Sequence, residues 1–445
     1  MLGLASALRG GIQPPPRPEA IGAAPIRQMP FAPELWLALG PGPDARAALQ
    51  VREGDDVVRG QILLHCDGDQ SALLHAPATG RVVRIAEQAD VDGATVTMLR
   101  LDPLTGDTQE GIAMGPADPA ALGPDDLLAR IRASGLVGLG GEGEPTHVRL
   151  SRARERAADT LVINAIEGES VFGLVPAILQ QQRAELLTGI ACLQRVLGAE
   201  RSVLAVEQPD AALAEELVAA VPETFAMTLH RLPPRYPQGE QSLLLRVLAA
   251  EDRTLSRRRA AVFSLATVAE VGRLLSRGQV MTDQLVSLAG GALAYPGTYR
   301  IPLGTPLRFA LAHAGQQPGL ARVLVGGPMR GRPVASLEQP INKGATGFLA
   351  LDAGQAQEWS EPMPCIRCGE CVAACPVGLQ PAELGLLARR QELKIMHEEY
   401  FLERCFECGC CAYVCPSHIP LVQLFRMAKV QWRRTRPAKV KEEAA

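Results

Sequence analysis

Two cysteine runs near the C-terminal end constrain this chain more than anything else in it. The first reads C-I-R-C-G-E-C-V-A-A-C-P from Cys365 and the second C-F-E-C-G-C-C-A-Y-V-C-P from Cys405. Three cysteines separated by two residues each reach three corners of one iron–sulfur cubane, and a fourth followed by proline is turned toward a second cubane. Cys365, Cys368, Cys371 and Cys415 are therefore expected to hold one [4Fe–4S] cluster, and Cys405, Cys408, Cys411 and Cys375 the other. Structural zinc also uses cysteine pairs of this spacing, four ligands to a site. It leaves the third cysteine of each run, the closing Cys-Pro and the duplication without a purpose. Cys410 falls between two ligand positions and is expected to be dispensable for assembly. A chain carrying two such clusters transfers electrons.

Nine of the eleven cysteines lie in these runs, so they read as reduced thiolates in a reducing compartment, not as a disulfide framework. A length of 445 residues suggests about three domains, and 47% hydrophobic residues supply ordinary cores. With 4% aromatic residues and a net charge of −3, the chain lacks both the stacking surface and the basic field that a nucleic-acid partner needs. The N-terminal M-L-G-L-A-S-A-L-R-G-G has no basic region and too short an apolar run for a signal peptide. No stretch approaches the roughly 18 to 20 uninterrupted apolar residues of a membrane span. Lysine is nearly absent, with five against forty arginines and the first at Lys343. No Walker, Schiff-base or carrier lysine is therefore available before that point.

The proline-rich arm (residues 1–34) is expected to run extended over the surface of a folded body. Residues 35–105 carry short alternating runs with Gly54, Gly60 and Gly80 at turns, the pattern of a small all-β sandwich. His65, Cys66 and His75 in this stretch read as packing and not as a metal site. Residues 120–275 open with a helix after Pro124 that Gly135 stops. The loop G-L-G-G-E-G-E-P-T-H-V-R follows, from Gly138 to Arg149. Its glycines allow close backbone approach to a ligand, and Thr146 is placed to cap a helix whose amide end favours phosphate. A β-α alternation comes next: strand 160–165, helix 175–197, strand 202–207, a helix from Asp210 and strand 225–232. That is a wound α/β layer with a glycine loop at one mouth. Residues 278–352 return to short strands with turns, and Gly326-Gly327-Pro328-Met329 reads as a hairpin first and as another tight backbone approach second. The cluster region (residues 360–425) contains a charged amphipathic helical stretch, 382–404, expected to pack it onto the rest of the chain. The basic tail (residues 426–445) holds Arg426, Lys429, Arg433, Arg434, Arg436, Lys439 and Lys441 around Trp432. It reads as a solvated helix end or as a contact with an anionic membrane surface.

Motifs spread over nearly the whole length resemble the RnfC component of the Rnf/Rsx-type ion-translocating electron transport complex. They are G-G-I-Q-P-P at Gly10, H-A-P-A-T-G at His75, G-L-G-G-x-G-x-P-T-H-V at Gly138, I-N-A at Ile163 and R-Y-P-Q-G at Arg235. P-G-T-Y-R-I-P-L-G-T at Pro296, V-G-G-P-M at Val325 and both cysteine runs complete the set. The middle part is similar to the flavin subunit of respiratory complex I. The resemblance implies a multidomain α/β protein: a biotinyl/lipoyl-like barrel-sandwich without its carrier lysine, a wound α/β domain of FMN/NADH type, a β-grasp module and an α-helical double-cluster ferredoxin domain. It implies FMN and NADH contacts at Gly138, Gly140, Gly141, Gly143, Thr146, Arg149, Asn164 and Glu167; no catalytic residue is assigned. It also implies the other subunits of such a complex as partners, a ferredoxin-like one among them. The chain would then be peripheral, on the cytoplasmic face of a bacterial inner membrane, and meet the membrane surface through those partners.

Departures from the family pattern gather at the flavin. Glu142 and Glu144 stand where the family has alanine and phenylalanine. After Glu167 and Glu169, Ser170 and Val171 replace Pro-Tyr, and the Asp-Asp-Arg that follows in the family is missing. A carboxylate within about 4 Å of a phosphate charge costs ~4 kcal/mol at a near-surface dielectric, so weak or absent FMN is the expectation. Two readings stay open. One is an enzyme subunit in which NADH reduces FMN and FMN feeds the clusters. The other is a relay or docking subunit that has lost flavin and NADH. A double-cluster subunit of another respiratory oxidoreductase is a further alternative, which the long upstream region matches poorly.

Overall fold

The computed structural model describes residues 8–15, 21, 24–40, 49–65, 71–89, 95–106, 108–141, 143–357 and 361–435. Cys66, Glu142, Arg436, Lys439 and Lys441 lie outside them.

The β-rich N-terminal part is a four-stranded sheet in the order Leu35–Gly40, Thr95–Pro103, Gly80–Ala89, Asp56–Val57, with a second pair, Ile62–Leu64 and Leu74–His75. Alternating burial along these runs places Leu35, Leu37, Val82, Leu99 and Leu101 in one core. This is the half-buried pattern that the glycine-punctuated sequence encodes. His75 is buried, and burial together with nearby Lys343 holds it down at about 3, a neutral packing imidazole.

The wound layer is a parallel four-stranded sheet in the order Met227–Leu232, Arg201–Glu207, Thr160–Ala165, Ala260–Ser264. The single helix expected over 175–197 is two helices, Leu174–Gln181 and Arg183–Leu197, because Gln182 between them leaves helical dihedrals (φ −123°, ψ 34°). The second of these crosses Leu265–Arg277 at very close range. A Cβ on Gly189 would stand 2.0 Å from the Val268 carbonyl oxygen, and one on Gly272 1.7 Å from that of Glu185, so only glycine permits the crossing.

A six-stranded mixed sheet follows, in the order Arg27–Gln28, Gly297–Pro302, Asp283–Ala289, Gly347–Asp352, Leu320–Val325, Arg332–Pro333, with the helix Leu307–His313 packed on it. The N-terminal arm therefore does not merely lie on the surface. Arg27–Gln28 adds a parallel strand to this sheet, and Ile12, Ile21 and Met29 are buried.

A buried ionic net joins the three parts. Asp283 takes Arg59 of the N-terminal sandwich at 2.8 Å and, at 2.9 Å each, Arg273 of the wound layer and Arg300 of the mixed sheet. Glu270 meets Arg300 at 2.8 Å and Arg273 at 3.2 Å. Burial alone would raise Asp283, but the three arginines hold it down at about 2.

The C-terminal part is a helical module. The expected stretch 382–404 is two helices, Pro381–Arg389 and Leu393–Glu398, and a 3-10 turn, Leu402–Arg404. Gln391 (φ 59°) and Phe401 (φ 54°) turn the chain left-handed between them. It does not fasten the module to the body. Leu384, Met396 and Leu402 pack with Phe425 inside the module's own core. The helix Leu421–Thr435 runs through the expected boundary at 425, and its basic residues are not all solvated. Lys429 is buried and donates to the Cys405 carbonyl and to Glu407, Arg426 bonds Glu407 at 2.9 Å, and Trp432 stacks on His397 at 4.6 Å. Among the described residues no helix is long and apolar enough to cross a membrane.

Candidate functional site

The two cysteine runs fold as near copies. Arg367 and Glu407, each two residues after the first cysteine, take φ of 59° and 61°, and Gly369 and Gly409 take 81° and 87°. Each run then enters one short helix, Glu370–Ala373 or Cys410–Tyr413. Cys365, Cys368, Cys371 and Cys415 line one small cavity within the module. Cys405, Cys408 and Cys375 are charge neighbours of Cys411. Cys371 is a further charge neighbour of Cys411, so the two groups of sulfurs lie close together, and eight cysteine sulfurs are the donor chemistry of two cubanes.

The two sets differ in surroundings. Cys365 and Cys368 are exposed and Cys371 is buried in the first set, whereas Cys408 and Cys411 are buried and Cys375 and Cys405 half-buried in the second. Gly10 lies against the Cys375 backbone, and the Gly11 amide donates to the Ala374 carbonyl at 2.8 Å. The Tyr236 hydroxyl donates to the Cys408 carbonyl at 2.6 Å, and Gly409 abuts the Met329 carbonyl. The body therefore presses on the Cys405–Cys411 set, here called inner, and leaves Cys365 and Cys368 of the Cys365–Cys371 set, here called outer, facing solvent.

A cleft of about 520 Å³ opens beside the inner set, within the range of small-molecule and cofactor sites. Gly138, Gly140, Gly141, Thr146, Arg149, Asn164 and Glu167 line it together with Tyr236, Arg330 and Phe406. Gly143, also expected there, instead faces Gly344. The loop closes through the Gly138 amide to the Glu144 carbonyl at 2.7 Å, and Gly141 needs its left-handed φ of 97°. Pro145, not Thr146, holds the cap position of helix Thr146–Glu155, and no side chain caps it. The Thr146 hydroxyl is left buried without a partner at 1% exposure.

Other expected contacts are already engaged. Asn164 donates to the Gly239 carbonyl at 2.8 Å and accepts from the Ile166 amide, and Glu167 accepts from the Val175 amide at 3.0 Å. These side chains shape the wall. Glu144 does not stand as a free carboxylate in the loop: it pairs with Arg152 and lies 4.0 Å from Arg149. These two arginines offset part of its charge. Glu169, buried, accepts from the Met329 and Arg330 amides; burial raises its carboxyl above the usual range and those amides partly offset it. This contact pins the Gly326–Gly331 hairpin loop to the cleft, and the hairpin itself is as expected. Tyr236 and Arg330 were not singled out from the sequence. Tyr236 stood only inside R-Y-P-Q-G, and Arg330 directly follows the V-G-G-P-M motif at Val325 without being part of it.

The arrangement defines an iron–sulfur electron-transfer protein with a flavin-type domain. Its segments match three family models: an RnfC barrel sandwich hybrid domain over residues 6–102, a Nuo51 FMN-binding domain over 131–274 and a 4Fe-4S dicluster domain over 364–419. The RnfC protein of the ion-translocating oxidoreductase complex of Rhodobacter capsulatus is 31% identical over 95% of this chain and 82% of its own length. That of Pseudomonas aeruginosa is 34% identical over 98% of this chain and 57% of its own. The chain belongs to this RnfC family. Its fold is also similar to a chain of an NAD+-reducing [NiFe]-hydrogenase in the air-oxidized state (TM-score 0.50, 19% identity, 68% of this chain and 63% of that one).

Proposed function

We infer that this protein is the peripheral electron-transfer subunit of a membrane-bound ion-translocating oxidoreductase complex, carrying electrons through two [4Fe–4S] clusters toward partner subunits. The observation that carries the direction of flow is the shared wall: Tyr236, Arg330 and Phe406 border the cleft, while Tyr236 also holds the Cys408 carbonyl. Electrons enter at the cleft, pass to the inner cluster and leave from the outer one, whose Cys365 and Cys368 face solvent.

We propose FMN as the occupant of the cleft and NADH as the donor. The residues fit the group: the unpartnered Thr146 hydroxyl at the start of its helix suits a phosphate, and Arg149 adds a positive charge with Glu144 turned to Arg152. A bound flavin would supply the conversion of a two-electron hydride into single electrons. Asn164 and Glu167 keep the wall in shape, and Glu169 holds the hairpin that carries Arg330. The relay reading without flavin is favoured by one observation, the four carboxylates Glu167, Glu169, Glu207 and Glu240 that share the lining with four arginines. Domain limits of 35–105, 120–275, 278–352 and 360–425, and a place on the cytoplasmic face of the inner membrane held by partner subunits, belong to the same proposal. Protein purified without oxygen is expected to release about one FMN per chain on denaturation and to bleach its cluster absorbance with NADH. A flavin-free chain whose clusters answer only to dithionite would leave the relay.

A further inference from the structure

The N-terminal arm meets the cluster module at one ligand. Gly10 packs against the Cys375 backbone, where a Cβ would stand 2.7 Å from the carbonyl carbon, and the Gly11 amide donates to the Ala374 carbonyl at 2.8 Å. Ile12 and Tyr236 then exchange two backbone hydrogen bonds of 2.9 Å. Arg235 donates from Nε to the Gly10 carbonyl at 2.8 Å, and its Nη2 reaches the same oxygen. Leu8 is buried in a core of the body on which Val377 also packs. Ile12, Tyr236, Ala374, Cys408 and Cys410 close one buried seam between body and module. Across it the Tyr236 hydroxyl holds the Cys408 carbonyl at 2.6 Å.

Cys375 is the member of the inner set most in need of outside support. It comes from the first run, whereas Cys405, Cys408 and Cys411 come from the second, which starts 30 residues further on. Residues 361–370 of its own run are all exposed and give it no packed base. The Leu379 amide donates to the Cys375 sulfur at 3.3 Å, which orients the side chain and leaves the backbone to be held by something else. The arm supplies that hold. Arg235 in turn fixes the arm, since two donors of one guanidinium meet the carbonyl next to the Gly11 amide, and a charged donor makes the stronger bond. Contacts behind a ligand orient it and decide how firmly the metal is kept. A cubane that loses its fourth thiolate presents one iron to water and to chelators.

We propose that Arg235 is a positioning residue for the inner cluster: by clamping Gly10–Ile12 it keeps Cys375 seated and the seam closed to solvent. The arm is a seal for one cluster and not a general fastener. Cys365 and Cys368 of the outer set, which face solvent, lie outside it. Consecutive residues of the body, Arg235 through the arm and Tyr236 directly, thereby hold the two runs together where they share a cluster. The inference rests on the two-cluster reading, which initial iron content tests separately from the rate of iron loss.

The experiment follows iron release from the full chain, purified without oxygen, into excess bathophenanthroline disulfonate. Electron paramagnetic resonance of dithionite-reduced samples drawn at intervals separates the two clusters, and the signal missing in Cys411→Ser identifies the inner one. Arg235→Ala opens the clamp from the body side, Gly10→Ala presses the arm off the Cys375 backbone, and Arg235→Lys keeps one donor. The wild type is expected to start with about eight irons per chain. The inner signal should decay about tenfold faster in Arg235→Ala and in Gly10→Ala, with the outer decay unchanged and Arg235→Lys close to wild type. An inner cluster already lost on purification of either variant, with the outer signal intact, is the same result carried further. Inner decay at the wild-type rate in both variants would overturn the proposal. Equal acceleration of both clusters would also overturn it, because the arm would then only fasten the module. Wild-type chain without two cubanes at the start would instead sink the cluster reading itself.

Discussion

The two cysteine runs share a backbone and differ in what surrounds it. Gly369 and Gly409 occupy the same left-handed turn, yet a Cβ on the first would meet open space and one on the second would strike the Met329 carbonyl at 2.4 Å. Ile366 is 68% exposed, while its counterpart Phe406 packs against Tyr236 and forms part of the cleft wall. Arg367 is exposed, whereas Glu407 is tied to Arg426 and Lys429. Met363 and Val372 add further exposed apolar surface around the outer set. A duplicated motif fixes ligand geometry in both copies. The residues at the non-ligand positions decide which copy faces inward and which meets a partner.

The largest expected effect comes from breaking the crossed ligation. Cys375→Ala should destroy the inner cluster although Cys375 lies in the first run, and Cys415→Ala should destroy the outer one although it lies in the second. Electron paramagnetic resonance of the reduced variants reads this directly, and damage confined to the run that carries the substitution would reverse the assignment.

A substitution remote from both runs separates local from global effects. Asp283→Ala leaves the buried Arg273 and Arg300 and the half-buried Arg59 short of a partner and should cost about 3–5 kcal/mol of stability. Thermal unfolding should shift by the corresponding amount, with both cluster spectra intact in the folded fraction. Acid should do the same more gently. Asp283 titrates lower in the folded chain, at about 2, than its ordinary value of 3.8, and Glu270 is also lowered. Because the unfolded chain takes up these protons first, the net contributes fully above about pH 4 and its contribution is lost as pH falls toward 2. Denaturant midpoints measured between pH 7 and pH 3 should decline only at the acid end; a decline already complete by pH 6 would assign it to other groups.

The smallest effect expected is that of Tyr236→Phe, which deletes one buried hydrogen bond to the Cys408 carbonyl at a cost of about 1–3 kcal/mol. The inner signal should change in line shape or midpoint while the outer one does not. Equal changes in both would mean that the seam does not distinguish them.

The double-cluster domain was legible because thiolate spacing is itself the chemistry, and the strands 160–165 and 202–207 because buried parallel strands read as apolar runs. The break at Gln182 was not legible: the helical pattern continues across it, and only tertiary packing turns the chain. The stretch 382–404 misled for a related reason. Gln391 and Phe401 adopt left-handed backbone without being glycine, a conformation the surrounding module imposes. Glu144 was read as a liability because its partner Arg152 lies eight residues on, across the turn into the helix. The roles of Tyr236 and Arg330 depend on segments far apart in sequence meeting at one seam, which no local pattern encodes.

The measurement that tests the account most directly asks which cluster the cleft supplies. FMN-loaded chain is mixed with limiting NADH under anaerobic conditions in two forms, Cys368→Ser lacking the outer cluster and Cys411→Ser lacking the inner. The account predicts that the first still reduces its inner cluster and that the second leaves its outer cluster oxidised, although dithionite reduces both. Reduction of the outer cluster by NADH in Cys411→Ser, as fast as in the wild type, would contradict it.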